Sequence, residues 1–239
     1  MKIVVVARTR NEEKNISRFC RCYSWVDKIL IADGGSDDNT IQNALEFPNV
    51  SIRRFAEKVT NDGGETWRNP HGRHMNFMFD WAESEGADWI IFDDVDCLPT
   101  VKLQEAFRSI LENTDKNCVY LNRVYLYGND KYFRDITIPG KLGLWGSSET
   151  TSIYAWKSGL VRASEENPWE HVLIVDERKV SILRLSPPHS VIHDFFPNDG
   201  TRLEKVKFYA LSGEQPKCSD PRHVYKDIVP IEDWMEYDK

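Results

Sequence analysis

Trp89-Ile90-Ile91-Phe92-Asp93-Asp94-Val95-Asp96-Cys97-Leu98-Pro99 runs from an apolar segment straight into three carboxylates. Four apolar residues in succession fit a strand covered on both faces, as in a parallel sheet. Burying unpaired charges is costly, so the carboxylates belong at the mouth of the sheet. Open α/β sheets take their ligands just outside the carboxyl ends of the strands. If the segment stays extended, residues i and i+2 share a face. Asp94 and Asp96 then converge on one hard cation, and Asp93 turns away. Mg²⁺ or Mn²⁺ suits such a pair, because both take oxygen ligands and share them with phosphates. The plain alternative is an acidic turn between strand and helix.

Upstream, residues 2–7 read as a first buried strand, followed by the polar loop Arg8-Thr9-Arg10-Asn11-Glu12-Glu13. Asn11 is the expected N-cap, with Glu12 and Glu13 favourable in the first turn. Ile16, Phe19, Cys20 and Tyr23 recur at the spacing of a helix with one buried face. Lys28–Ala32 is a second strand, ending in Asp33-Gly34-Gly35-Ser36-Asp37-Asp38-Asn39-Thr40, with a helix expected through Leu45. The glycines permit positive φ or a close ligand approach, and Asp33 can accept hydrogen bonds from a base or a ribose. A glycine turn before a capped helix explains the same residues. Val50–Phe55 reads as a third strand, and Ala56–Gly72 as a polar, irregular loop. Met75, Met78, Phe79 and Ala82 mark the core face of a helix. Just before or beside that face, Arg68, His71, Arg73 and His74 could receive a diphosphate, or simply form a solvated helix start.

Strand and helix therefore alternate, with the acidic strand fourth, which implies a mostly parallel sheet flanked by helices. Leu103, Phe107, Ile110 and Leu111 predict one more helix. Beyond it the pattern changes. Cys118–Tyr127 reads as a long strand, Gly128-Asn129-Asp130 as a turn, and Ser152–Trp156, His171–Val175 and Lys179–Leu185 as short strands. That half should be antiparallel or mixed, with a helix at Thr201–Leu211. The tail from Gly213 is polar, although Val224, Ile228, Ile231 and Trp234 could dock on the body. The division expected is 1–118, 119–212 and a tail at 213–239.

A net charge of −7 argues against a broad nucleic-acid footprint. The apolar run at Met1–Val6 is short for a leader or membrane span, and no other stretch reaches membrane-spanning length. Five cysteines without a C-x-x-C pair predict reduced thiols, a cytoplasmic setting and no zinc.

Four features in order then carry a resemblance: strand with Asn11-Glu12-Glu13; strand with Asp33-Gly34-Gly35-Ser36-Asp37-Asp38-Asn39-Thr40; Gly72-Arg73-His74-Met75-Asn76 at a helix start; and Phe92-Asp93-Asp94-Val95-Asp96. Together they resemble the family 2 glycosyltransferases of the GT-A fold. The later stretches 152–159, Pro168-Trp169-Glu170-His171 and Pro188–Pro197 are similar to the bacterial lipopolysaccharide-core glucosyltransferase branch. There a His-Glu pair precedes a hairpin; here the order is Glu170-His171. The resemblance implies an α/β GT-A fold with a smaller antiparallel or mixed C-terminal part. It implies that Thr9, Arg10 and Glu12 line a nucleoside pocket, although an aromatic residue is common at position 10. It implies that Asp33 reads the base, most often uracil, and that Arg73 contacts the diphosphate. Asp94 would hold the ribose or the metal-bound diphosphate, Asp96 the metal, and His193 would be a further metal ligand with His189 in reserve.

The expected reaction moves a sugar, as from a UDP-linked hexose, to an acceptor hydroxyl. Mn²⁺ or Mg²⁺ and Arg73 would offset charge on the leaving diphosphate. A single carboxylate base would give inversion. Glu170 is the first candidate, with Glu149, His171 and Asp176 as alternatives. The acceptor is open among a glycan, a lipid-linked sugar, a protein, a small molecule and modified DNA, and peripheral membrane contact is compatible with it. The competing readings are a nucleotidyltransferase and a catalytically silent nucleotide-sugar binding protein. The former would want a glycine-rich loop after the first strand, and Arg8-Thr9-Arg10-Asn11-Glu12 has no glycine.

Overall fold

Ile3-Val4-Val5-Val6-Ala7 has no solvent exposure, and around it the first sheet is assembled. A computed structural model describes residues 1–55, 59–61, 64–66, 71–127, 131–134, 151–165, 173–175, 177–196 and 227–230. In chain order the elements are β1 (Ile3–Thr9), α1 (Ile16–Cys22), β2 (Lys28–Asp33), α2 (Thr40–Ala44), β3 (Val50–Arg54), β4 (Val59–Asn61), β5 (Gly64–Thr66), α3 (His71–Ser84) and β6 (Trp89–Phe92). There follow β7 (Cys97–Pro99), α4 (Val101–Asn113), β8 (Cys118–Tyr127), β9 (Lys131–Arg134), β10 (Thr151–Lys157), β11 (Val161–Ala163), β12 (Leu173–Val175), a 3₁₀ turn (Glu177–Lys179), β13 (Ile182–Arg184), β14 (Ser190–Phe196) and β15 (Asp227–Pro230).

The chain divides into two units that interleave in sequence. The first comprises Met1–Val95, Arg108–Val119 and Tyr154–Leu183; the second comprises Asp96–Phe107, Tyr120–Ile153 and Arg184–Lys239. In the first unit β1 lies between β2 and β6 and is parallel to both, with Val5 opposite Ile29 and Ile91. β3 extends the sheet in parallel on the far side of β2, and β10 pairs antiparallel with β6 on the other side of β1, with Ala155 opposite Ile91. The neighbour order β10-β6-β1-β2-β3 makes β3 outermost, and Arg53 and Arg54 on it are exposed.

Helices cover this sheet for the reason their spacing suggests. Ile16, Phe19, Cys20 and Tyr23 are all buried, as are Met75, Met78, Phe79 and Ala82. Phe79 meets Trp156 edge-on, with ring centroids 5.0 Å apart. The first turn of α3 lies against the Ser164 carbonyl, where a Cβ on Gly72 would overlap that backbone. In the second unit β8 and β9 pair antiparallel, with Tyr127 opposite Lys131. β15 adds to β9 in the same sense, and β14 runs antiparallel to β7 and parallel to β8. Leu98, Leu103, Phe107, Leu121, Val124, Val191 and Ile192 are buried there.

Three local expectations change. Asn11 does not cap α1: the cap position is Asn15, and Asn11 adopts φ 55° in the preceding loop. The stretch after Phe55 is not wholly irregular, since β4 and β5 pair antiparallel within it. The acidic run is not extended, because Val95 and Asp96 form a turn between β6 and β7. That removes the strand-based reason for Asp94 and Asp96 to share a face. From the tail, Asp227–Pro230 does dock as a strand; Thr201–Leu211, Val224, Ile231 and Trp234 lie outside the described residues, as do Gly128-Asn129-Asp130. The four described cysteines, Cys20, Cys22, Cys97 and Cys118, are buried and form no disulfide with one another. Burial pushes the Cys20 and Cys118 thiols up to about 12. Among the described residues no helix is long and apolar enough to cross a membrane.

Candidate functional site

The carboxyl ends of β1, β2 and β6 are side by side, and each ends in a polar loop. The first two loops are fastened to each other. Asn11 donates its N–H to Ser36 Oγ (3.0 Å) and accepts from the Asp37 N–H at Oδ1 (3.0 Å). Glu12 N–H donates to Thr40 Oγ1 (2.7 Å), and Glu13 N–H to Asp38 Oδ2 (3.2 Å). The Asn39 N–H and side-chain amide return to Glu13 Oε2 at 3.3 and 3.2 Å. The positive φ of Asn11 belongs to this latch, since asparagine tolerates the left-handed region better than most residues.

Asp33 is 2% exposed. Its carboxylate accepts from the Gly35 N–H (2.9 Å), the Ser36 N–H (3.1 Å) and Ser36 Oγ (2.6 Å). Gly35, at φ 92°, turns the backbone back onto the carboxylate. A carboxylate has about four acceptor directions, so most of its capacity is used by its own loop. Across the strand pair, Thr9 stands in register with Asp33. Thr9 Oγ1 is buried with no hydrogen-bond partner among the described residues, a cost that a polar ligand at this corner would relieve.

At the end of β6 the two adjacent carboxylates have separate roles. Asp93 is fully buried. Tyr23 donates its hydroxyl to Asp93 Oδ2 at 2.6 Å and shares a 2.7 Å hydrogen bond with the Tyr154 hydroxyl. Asp93 Oδ1 accepts the Asp94 N–H at 3.1 Å, and the Asp93 N–H reaches the Val6 carbonyl at 3.3 Å. Burial first, and then the Asp93 charge, hold the Tyr23 hydroxyl well above its usual range, so it stays a donor. Asp94 faces the mouth instead. Its Oδ1 lies 3.3 Å from Arg8 Nε, with the side chains 14% and 19% exposed.

His74 does not serve as a cation here. Its ring is 4% exposed, stacks on Phe55 at 4.6 Å, and places Nε2 3.2 Å from the Ala32 carbonyl. Burial and the Arg8 charge lower its pKa to about 3, so it is neutral at pH 7. This corrects the expectation that His74 could help receive a diphosphate. Arg73, on the same helix, is exposed.

In the second unit, the thiol of Cys97 lies 3.9 Å from Asp96 Oδ1 and 3.5 Å from Arg123 Nη1. The pairing of β14 with β7 sets His193 opposite Cys97, one residue along the backbone from Asp96. Among the described residues no group of three or more His, Cys, Asp or Glu gathers to hold a metal; the His193 side chain is not among those described. Glu149, Glu170, His171 and Asp176, the base candidates, and Arg68 also lie outside the described residues.

The structure thus brings Thr9, Asp33 and Asp94 to adjacent strand ends. It leaves Arg10 exposed at the edge of the first loop, and Glu12 bound to Asn15 Nδ2 at 2.7 Å. Sequence reasoning missed Arg8, Tyr23, Tyr154 and Arg123. Tyr23 was read only as core, and the apolar neighbours of Tyr154 and Arg123 gave no sign of polar partners.

No protein-family model matches the chain, and no curated protein matches it in sequence. Its shape does match. TarS of S. aureus superposes with a TM-score of 0.54 at 13% identity, over 89% of this chain and 39% of TarS. The TarS 1–349 fragment gives 0.54 at 14% identity, over 88% and 65%. The same fragment in complex with UDP gives 0.50 at 13% identity, over 79% and 62%. The fold is GT-A. This chain spans about two-fifths of the full length of TarS, so the GT-A likeness concerns that part alone.

Proposed function

We propose that the chain is a glycosyltransferase that takes a sugar from a nucleoside-diphosphate sugar, a UDP-linked hexose, to an acceptor hydroxyl. The observation that carries this reading is the gathering of Thr9, Asp33 and Asp94 at the carboxyl ends of three neighbouring parallel strands. That is where open α/β sheets bind ligands. The orphaned Thr9 hydroxyl opposite Asp33 fits a polar base or ribose in this corner. TarS, whose fold is shared, was crystallised with UDP. The loop pattern adds the resemblance to family 2 enzymes, with the lipopolysaccharide-core branch as its nearest form.

In this reading Thr9, Arg10, Glu12 and Asp33 face the nucleoside and Arg73 the diphosphate. Asp94, Asp96 and His193 would hold Mn²⁺ or Mg²⁺. The carboxylate oxygens suit a hard cation, and the β14 register carries residue 193 to the neighbourhood of Asp96. Such an ion, when bound, would offset charge on the departing diphosphate. Glu170 is the proposed base, with Glu149, His171 and Asp176 as alternatives, and it would accept the acceptor's hydroxyl proton as the new bond forms.

Isothermal titration with UDP, GDP and CDP, each with EDTA and with Mn²⁺, tests the donor class. UDP is expected to bind most tightly, and Mn²⁺ to strengthen it. Binding of none of the three would overturn the reading. Sugar release from the donor then separates an enzyme from a silent binder, and Glu170→Gln should slow transfer by about 10²–10⁴-fold with donor binding unchanged.

A further inference from the structure

Arg8 is a cation placed among the acidic strand ends by the fold. It sits one residue before Thr9 on β1, next to β2, and its side chain crosses to the loop after β6 to reach Asp94. We propose that Arg8 is the site's own counter-charge for the donor's diphosphate, pairing with Asp94 before the nucleotide binds and donating to the phosphates once it does. This rests on the nucleotide-sugar reading above.

The chemistry of the mouth calls for such a group. A diphosphate arriving beside Asp94 meets a like charge, which costs more in a partly buried site than in water. Arg73 and Arg10 are exposed, where solvent and salt screen them. His74 is enclosed and neutral. Arg8 is only 19% exposed, so its charge acts at lower effective dielectric. The Arg8 charge, after burial, also lowers the pKa of His74, whose ring meets the Ala32 carbonyl of β2. A guanidinium has five N–H donors in a planar fork, and the contact with Asp94 is made through Nε. The fork matches phosphate oxygens better than a point charge does.

The test is calorimetry with UDP and with uridine, in EDTA and again with Mn²⁺, on the wild type, Arg8→Ala, Arg8→Gln and Arg8→Lys. Loss of a charge-assisted hydrogen bond should lower UDP affinity roughly tenfold or more in Arg8→Ala. Uridine affinity should not change, and Arg8→Lys should recover part of the loss. Arg8→Gln keeps a donor toward Asp94 without the charge, and covers the case in which the alanine variant does not fold. Unchanged UDP affinity in Arg8→Ala and Arg8→Gln overturns the proposal and leaves the nucleotide-sugar reading standing. Equal losses for UDP and uridine also overturn it, because they mark a structural role. A wild type that binds neither of these ligands nor GDP or CDP overturns the nucleotide-sugar reading itself, and this proposal with it.

Discussion

The carboxylate after β2 and the carboxylates after β6 end neighbouring strands, yet they are held in opposite ways. Asp33 takes its partners from residues two and three positions further on. Asp93 depends on Tyr23, 70 residues away, and Asp94 on Arg8, 86 residues away. The first arrangement forms with a turn; the second exists only when the sheet and α1 are assembled. A site of this kind has one wall that is locally encoded and one that is a product of the whole fold.

Acid should separate the two walls with the largest effect. His74, enclosed beside the end of β2, has a folded pKa of about 3 against 6.5 when unfolded. The unfolded chain therefore binds a proton that the folded chain refuses as pH drops below 6.5. The stability is fully present above that value and is lost progressively toward pH 3, at about 1.4 kcal/mol per unit for this group. Urea titrations of the wild type and His74→Phe across pH 7 to 4 should show the slope flattened in the variant. Equal slopes would mean that His74 is accessible to protons in the folded state.

Removing the remote wiring comes next. Asp93→Ala leaves the buried Tyr23 hydroxyl, which also bonds the Tyr154 hydroxyl, without its carboxylate acceptor, and should cost about 3 kcal/mol in global stability. A loss under about 1 kcal/mol would show that the tyrosine pair repacks without it. The smallest global effect should follow Ser36→Ala, about 1 kcal/mol. Its mark should be local: faster amide exchange at Gly35, Ser36 and Asn11, with the core of β1 unchanged. Uniform acceleration through β1 would contradict a locally built loop.

The same contrast governs what could be read from the chain. Ile3–Ala7, Lys28–Ala32 and Trp89–Phe92 announced the parallel strands through continuous apolar runs, and the buried faces of α1 and α3 through their spacing. Asp33 stood out because Gly34, Gly35 and Ser36 follow it. The tyrosine–Asp93 chain could not be seen, since buried phenols look like any core aromatics until the fold brings an acceptor to them. Asn11 misled for a physical reason. Asparagine serves equally well as a cap and in the left-handed region, and only its contact with Ser36 and Asp37 distinguishes the two. The extended reading of Asp94-Val95-Asp96 failed because the turn at Val95 and Asp96 separates β6 from β7, and alternation holds only while a strand continues.

The latch between the loops after β1 and β2 has a consequence for recognition. Residues 11–13 and 36–40 already restrain one another through six hydrogen bonds. The conformational entropy of fixing these segments is lost when the chain folds, not when a small molecule arrives. A compound resting on either loop would therefore meet a preformed surface, and its affinity would reflect its contacts more than the cost of ordering the loop beneath it.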